Sequence, residues 1–280
     1  MMKNVISLVL LLFFVPYIAG CQSSSQEGVK VMPMDVASDL ETLAGARVFF
    51  GHQSVGKNII HGLEKLSNDI EDVNLTIADY ESYQADGSGC FLHTRVGKNR
   101  EPESKCLDFG RIIDQELNDK IDYALLKFCY VDINKDSNVA KVFDDYRRVM
   151  DDLIERHPDI IFVHTTMPLM QNRGGIKIKI KELLGDVHAN KLDNIKRNEF
   201  NSLLKETYSN APIIDIAESE STYPDGSREE FKMDGKTYYS LIEGYTNDGG
   251  HLNDQGQIKV ASTFVQGMAD IIRNRPSAIE

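Results

Sequence analysis

The stretch Val48-Phe49-Phe50-Gly51-His52-Gln53-Ser54-Val55-Gly56 sets the terms on which the rest of the chain folds. Val48 to Phe50 are β-branched or aromatic and read as the end of a strand. From Val55 the period changes. Val55, Ile59, Leu63 and Leu66 recur every three or four residues, which is one face of an amphipathic helix. Ser54 therefore lies at a strand-to-helix turn. The first N–H groups of a helix have no partner inside it and point at whatever precedes its N-terminus. A serine placed there faces a preformed anion-stabilising position. The alternative is a serine that caps the helix.

The same switch of period repeats along the chain. Residues 73–77 read as a second strand, and 85–103 as a long polar loop of the kind that often carries function. A helix follows over 105–117. The apolar run 123–131 reads as a buried central strand, interrupted by Lys127, which sits either at a wet end or beside a carboxylate. Residues 139–156 form a helix with Val142, Tyr146, Val149, Leu153 and Ile154 near one face, closed by His157-Pro158. Strands are expected at 160–163 and 212–216, helices at 190–208 and 254–273, and a hairpin around Asp234-Gly235. The basic stretch 171–185 reads as an insertion or lid-like loop, and Met167 and Met170 as packing residues. Strands alternating with helices imply an α/β fold, a parallel sheet with helices on both faces. Ligands meet such sheets at the carboxyl ends of the strands, where Ser54, the 97–99 loop, Asp132 and the turn after Pro168 all emerge.

Near the other end stands Thr246-Asn247-Asp248-Gly249-Gly250-His251-Leu252-Asn253. An Asp three residues before a His, on a Gly-rich loop leading into a helix, supplies a base and the carboxylate that orients it. The plainer reading is an Asx turn with a surface histidine. A strand-to-helix serine near the start and Asp-x-x-His near the end resemble the first and last sequence blocks of the SGNH/GDSL hydrolases. The resemblance runs from about Arg47 to the final helix. It implies a three-layer sandwich of flavodoxin-like type, with Ser54 as nucleophile, His251 as base and Asp248 as its orienting carboxylate.

The resemblance breaks in the middle. The residues before Ser54 are His52-Gln53 in place of Gly-Asp, and the third block reads Cys129-Tyr130-Val131-Asp132, without Gly-x-Asn. Gly97 and Asn99 are the candidates to supply oxyanion donors from the preceding loop; the alternative for Asn99 is a turn with Gly97. His52, His93 and Asp132 are candidate pocket residues, with Arg95 beside them. His52 has the alternative of bonding to backbone, and His93 and Arg95 that of exposed loop groups.

Residues 1–20 have one lysine and an apolar run ending Ile18-Ala19-Gly20 before Cys21, which reads as a bacterial lipoprotein signal peptide with Cys21 lipidated. Residues 21–43 read as a Ser- and Gln-rich tether and 44–280 as one domain. The expected location is the cell envelope, held to a membrane by acyl chains. Net charge is −12, and −13 once the signal, whose only charge is Lys3, is removed. That argues against nucleic acid as a partner. Cys90 and Cys106, in a loop-rich region of an exported chain, are the expected pair if a disulfide forms, and Cys129 reads as a buried hydrophobe. The histidines and cysteines show no metal-ligand spacing, so neither metal nor other cofactor is expected. The function implied is a serine esterase that removes O-acetyl or short acyl groups from a glycan or related polar ester. Its alternatives are an O-acyltransferase using the same site and a non-catalytic glycan-binding lipoprotein.

Overall fold

The computed structural model describes residues 34–84, 87–172 and 189–275; the signal, Cys21 and most of the 171–185 insertion lie outside these. Six strands form one parallel sheet: β1 (Arg47–His52), β2 (Ile77–Asp79), β3 (Cys90–Arg95), β4 (Tyr123–Leu126), β5 (Ile161–Thr165) and β6 (Ile213–Ile214). They lie in the order β2-β3-β1-β4-β5-β6. β1 is buried from Val48 to His52, as a central strand covered on both faces must be.

Helices α1 (Met34–Ala44), α2 (Ser54–Asn68) and the final helix α7 (Asp254–Arg273) pack together. On their side of the sheet Phe50 and Phe91 meet Phe264 of α7. Helices α3 (Pro102–Ile112), α4 (Val139–Arg156) and α5 (Ala189–Thr207) pack in sequence through a core that takes in Phe49, Leu92, Leu126, Phe162, Tyr146 and Phe200. The α/β three-layer reading holds. A short helix α6 (Ile216–Ser221) follows β6, and the hairpin of β7 (Glu230–Met233) and β8 (Lys236–Tyr239) packs on α5. No described helix is long and apolar enough to cross a membrane.

Four expectations need correction. The 85–103 loop contains β3, which pairs with β1 along its full length; only Phe91 and Leu92 advertise it among polar neighbours. α1 lies within the stretch read as tether and packs on α7, where Arg273 bonds Asp39 at 2.6 Å. β4 stops at Leu126, because the Asp132 carboxylate captures the Cys129 N–H at 2.7 Å and Tyr130–Asp132 turn as a 3₁₀ helix. Lys127 is not at a wet end, and no described carboxylate bonds it: it is fully buried and its Nζ donates to Phe128 O at 3.0 Å.

Candidate active site

β1 is the point from which the chain winds to both halves of the sheet, since its neighbours are β3 on one side and β4 on the other. Its carboxyl end is the crevice where a parallel sheet presents a ligand site. Ser54 opens α2 there as its first helical residue and is partly exposed. It does not cap the helix. The N-cap position is Gln53, whose side chain makes no cap bond and instead donates to Val96 O at 2.8 Å and Gly97 O at 3.0 Å. The start of α2 therefore has no side-chain cap, and Ser54 Oγ lies 3.7 Å from Cys129 Sγ at the end of β4.

The 246–253 loop folds around Asp248. Its Oδ1 accepts from the backbone N–H of Gly250 at 2.9 Å and of His251 at 2.8 Å, and its Oδ2 takes His251 Nδ1 at 2.6 Å. Desolvation pushes the carboxyl pKa up, but these bonds outweigh it and hold Asp248 well below the usual carboxylate range. An ionised Asp248 accepts, so His251 Nδ1 carries the proton and Nε2 keeps its lone pair. The loop docks on the first turns of α2, where Asn58 Oδ1 accepts from the Leu252 N–H at 3.2 Å.

Between the two ends stands Tyr130. Its hydroxyl lies 3.5 Å from His251 Nε2 and its ring meets the imidazole edge-on, with centroids 5.6 Å apart. Gly250 lets it approach: a Cβ there would fall 2.7 Å from Tyr130 Cζ. Ser54, Cys129, Tyr130, His251 and Asp248 form one chain of contacts. Ser54 Oγ and His251 Nε2 share no hydrogen bond; each faces a side chain of the 129–130 pair instead. In the sequence Tyr130 reads as strand core, and its one signal is its place in the altered third block.

The other expected residues sort differently. Gly97 does not offer its N–H to a ligand, since Asp108 Oδ2 takes it at 2.9 Å. Asp132 is buried, with both carboxylate oxygens committed: Oδ2 meets Lys105 Nζ at 2.5 Å and Oδ1 accepts the Arg100 N–H at 2.9 Å. Asn99 is exposed and its Oδ1 accepts from the same Lys105 Nζ at 3.0 Å, which turns its NH₂ outward as a donor. His52 is buried, with Nδ1 donating to Gln53 O at 2.8 Å, so its Nε2 accepts from His93 Nδ1 at 3.3 Å. Desolvation pulls the His52 pKa down to about 3 and also lowers that of the half-buried His93, where Lys57 adds to it. His93 thereby presents its Nε2 as the outward acceptor of the pair.

Cys90, Cys106 and Cys129 are buried thiols that no disulfide joins, which corrects the expected Cys90–Cys106 pairing. Both fall inside the packed layers, Cys90 on β3 and Cys106 on α3. Among the described residues no group of three His, Cys, Asp or Glu side chains is placed to hold a metal ion.

Some solved structures similar to this chain carry SGNH or GDSL names. One, from Slackia heliotrinireducens and described as an SGNH hydrolase, is 12% identical over 80% of this chain and 99% of its own, with a TM-score of 0.46. A lipase/acylhydrolase from Enterococcus faecalis is 14% identical over 83% of this chain and 99% of its own, with a TM-score of 0.44. An extracellular lipase from Streptomyces rimosus is 14% identical over 70% and 98%, with a TM-score of 0.37. No protein-family model and no curated protein sequence matches the chain.

Proposed function

We propose that the chain is a serine esterase of SGNH type, with Ser54 as nucleophile, His251 as general base and Asp248 as its orienting carboxylate. The observation that supports this best is the 2.6 Å contact between Asp248 Oδ2 and His251 Nδ1. Asp248 fixes the proton on Nδ1, so Nε2 is an acceptor in the crevice beside the uncapped start of α2. On this reading Ser54 Oγ–H turns from Cys129 Sγ to that nitrogen. Oγ then attacks the ester carbon as its proton passes to Nε2. The carbonyl oxygen takes the electron pair, the C–O bond to the leaving group breaks, and that oxygen receives the proton from Nε2. Water repeats the sequence and frees the serine.

The substrate class we propose is an O-acetyl or short acyl ester on a glycan or a similarly polar alcohol, presented to a protein held at a membrane of the cell envelope through acyl chains on Cys21. Support for that anchoring is the leader pattern alone.

One observation favours a second reading, a non-catalytic glycan-binding protein: Ser54 and His251 face Cys129 and Tyr130, not each other. Labelling the soluble domain with a fluorophosphonate, alongside turnover of a generic acetyl ester, decides between them. For an esterase, one adduct maps to Ser54, and Ser54→Ala and His251→Ala each lower turnover by at least about a thousandfold. Absence of both adduct and turnover gives the site to binding. A product formed only with a sugar acceptor assigns acyl transfer.

A further inference from the structure

The oxygen that gains charge when Ser54 attacks needs hydrogen-bond donors, and most candidates near the serine are already committed. The Gly97 N–H goes to Asp108, the Lys98 N–H to Ser104 Oγ at 2.9 Å and the Arg100 N–H to Asp132. Asp132, a carboxylate bonded to Lys105, has nothing to donate. The segment Cys129-Tyr130-Val131-Asp132 carries no side-chain amide. Among the described residues, the donors still uncommitted include the first N–H groups of α2, the Asn99 NH₂ and the hydroxyl of Tyr130.

We infer that Tyr130 is a catalytic hydrogen-bond donor, its hydroxyl resting against His251 Nε2 and turning to the ester oxygen that becomes negative when Ser54 attacks. The inference rests on the esterase reading of the same site. Three features of the geometry carry it. The Tyr130 hydroxyl is 3.5 Å from the base's acceptor nitrogen, while the residue before it touches the nucleophile through Cys129 Sγ, so the phenol is anchored at the reacting centre. The turn is rigid, since Arg197 Nε donates to Tyr130 O at 2.8 Å and Asp132 holds the Cys129 N–H. The ring is wedged against Gly250, so the hydroxyl moves by rotation and small shifts only. Burial also pushes the phenol pKa up to about 12, which keeps the proton on the oxygen.

In the step itself no proton leaves Tyr130. Nε2 has one lone pair, so the Tyr130 hydroxyl turns off it as the substrate carbonyl enters, and the Ser54 proton then goes to the vacated nitrogen. The Oγ–C bond forms, the carbonyl electron pair moves to oxygen, and that oxygen accepts from Tyr130 until the leaving group departs.

The test is Tyr130→Phe, which keeps the ring and its packing and removes one oxygen. Turnover of p-nitrophenyl acetate and the rate of fluorophosphonate adduct formation are read for wild type, Tyr130→Phe and Ser54→Ala, with circular dichroism to confirm folding. Expected are a kcat lower by about a hundredfold or more with KM within about twofold, and labelling slowed in parallel, as for loss of one oxyanion donor. Boronic-acid affinity, which reports the tetrahedral adduct, falls with kcat, while affinity for a non-reacting product does not. Tyr130→Phe with kcat unchanged, or raised because His251 is set free, overturns the inference and leaves the esterase reading standing. Absence of a Ser54 adduct in wild type overturns both.

Discussion

At the residue scale, the candidate site depends on side chains that never meet a substrate. Lys105 and Asp132 are both fully buried, and their contact at 2.5 Å ties together three segments: the 97–100 loop through Asn99 and Arg100, α3 through Lys105, and the turn after β4 through Cys129. A buried pair is costly to assemble and more costly to break, because the survivor is left charged and dry. Lys105→Met is expected to lower unfolding free energy by about 3–5 kcal/mol. The same change in an Asp132→Asn background should cost clearly less. Urea denaturation of the four chains measures both; equal losses in the two backgrounds would mean the ions are not coupled.

At the scale of elements, the crevice is set by how closely α2 and α7 approach. A Cβ on Gly62 would fall 2.4 Å from Gln257 O and 2.5 Å from Ala261 Cβ, so no larger residue fits the crossing. Gly62→Ala gains about 1 kcal/mol of helix propensity but forces the helices apart, at roughly 1–3 kcal/mol. The balance predicts a Tm lower by up to roughly 8 °C in calorimetry. An increase would show that the crossing is slack.

These two helices were legible in the sequence because their apolar periods are long and regular. β3 was not, since its strand character comes from pairing with β1, which no local pattern encodes. The polar stripe of α5 was hidden for a related reason. Asn194, Arg197 and Asn201 look like a solvated face. They are buried, and clamp the backbone of Met170, Tyr130 and Met167 respectively. Ser54, Asp248 and His251 could be picked out as candidates because each stands in a short local pattern. Tyr130 could not, because an apolar run hides an aromatic ring whose hydroxyl alone has chemistry.

At the scale of the whole molecule, two buried histidines tie stability to pH. His164, in β5, stacks on Tyr208 at 3.7 Å and shares its Nδ1 with Tyr146. Desolvation pulls its pKa down to about 4, and that of His52 down to about 3, from an ordinary 6.5. Below pH 6.5 the unfolded chain binds protons at both positions and the folded chain does not. Stability therefore falls as pH drops from 6.5 toward 4, by roughly 2 kcal/mol per histidine between pH 7 and 5. NMR of the native protein checks the premise: neither imidazole should titrate above pH 5. Movement of either resonance with a midpoint near 6.5 would refute it.

The span from Ser54 to His251 also orders events in time. Synthesis runs from the amino end, so the serine and its strand are made early, while the loop carrying Asp248 and His251 comes only just before α7, the helix that closes the layer over α2. On the proposed assignment, a chain interrupted anywhere before that loop holds a nucleophile with no base. Competence toward esters is then conferred by one of the last segments to be made, and unfinished copies are chemically silent.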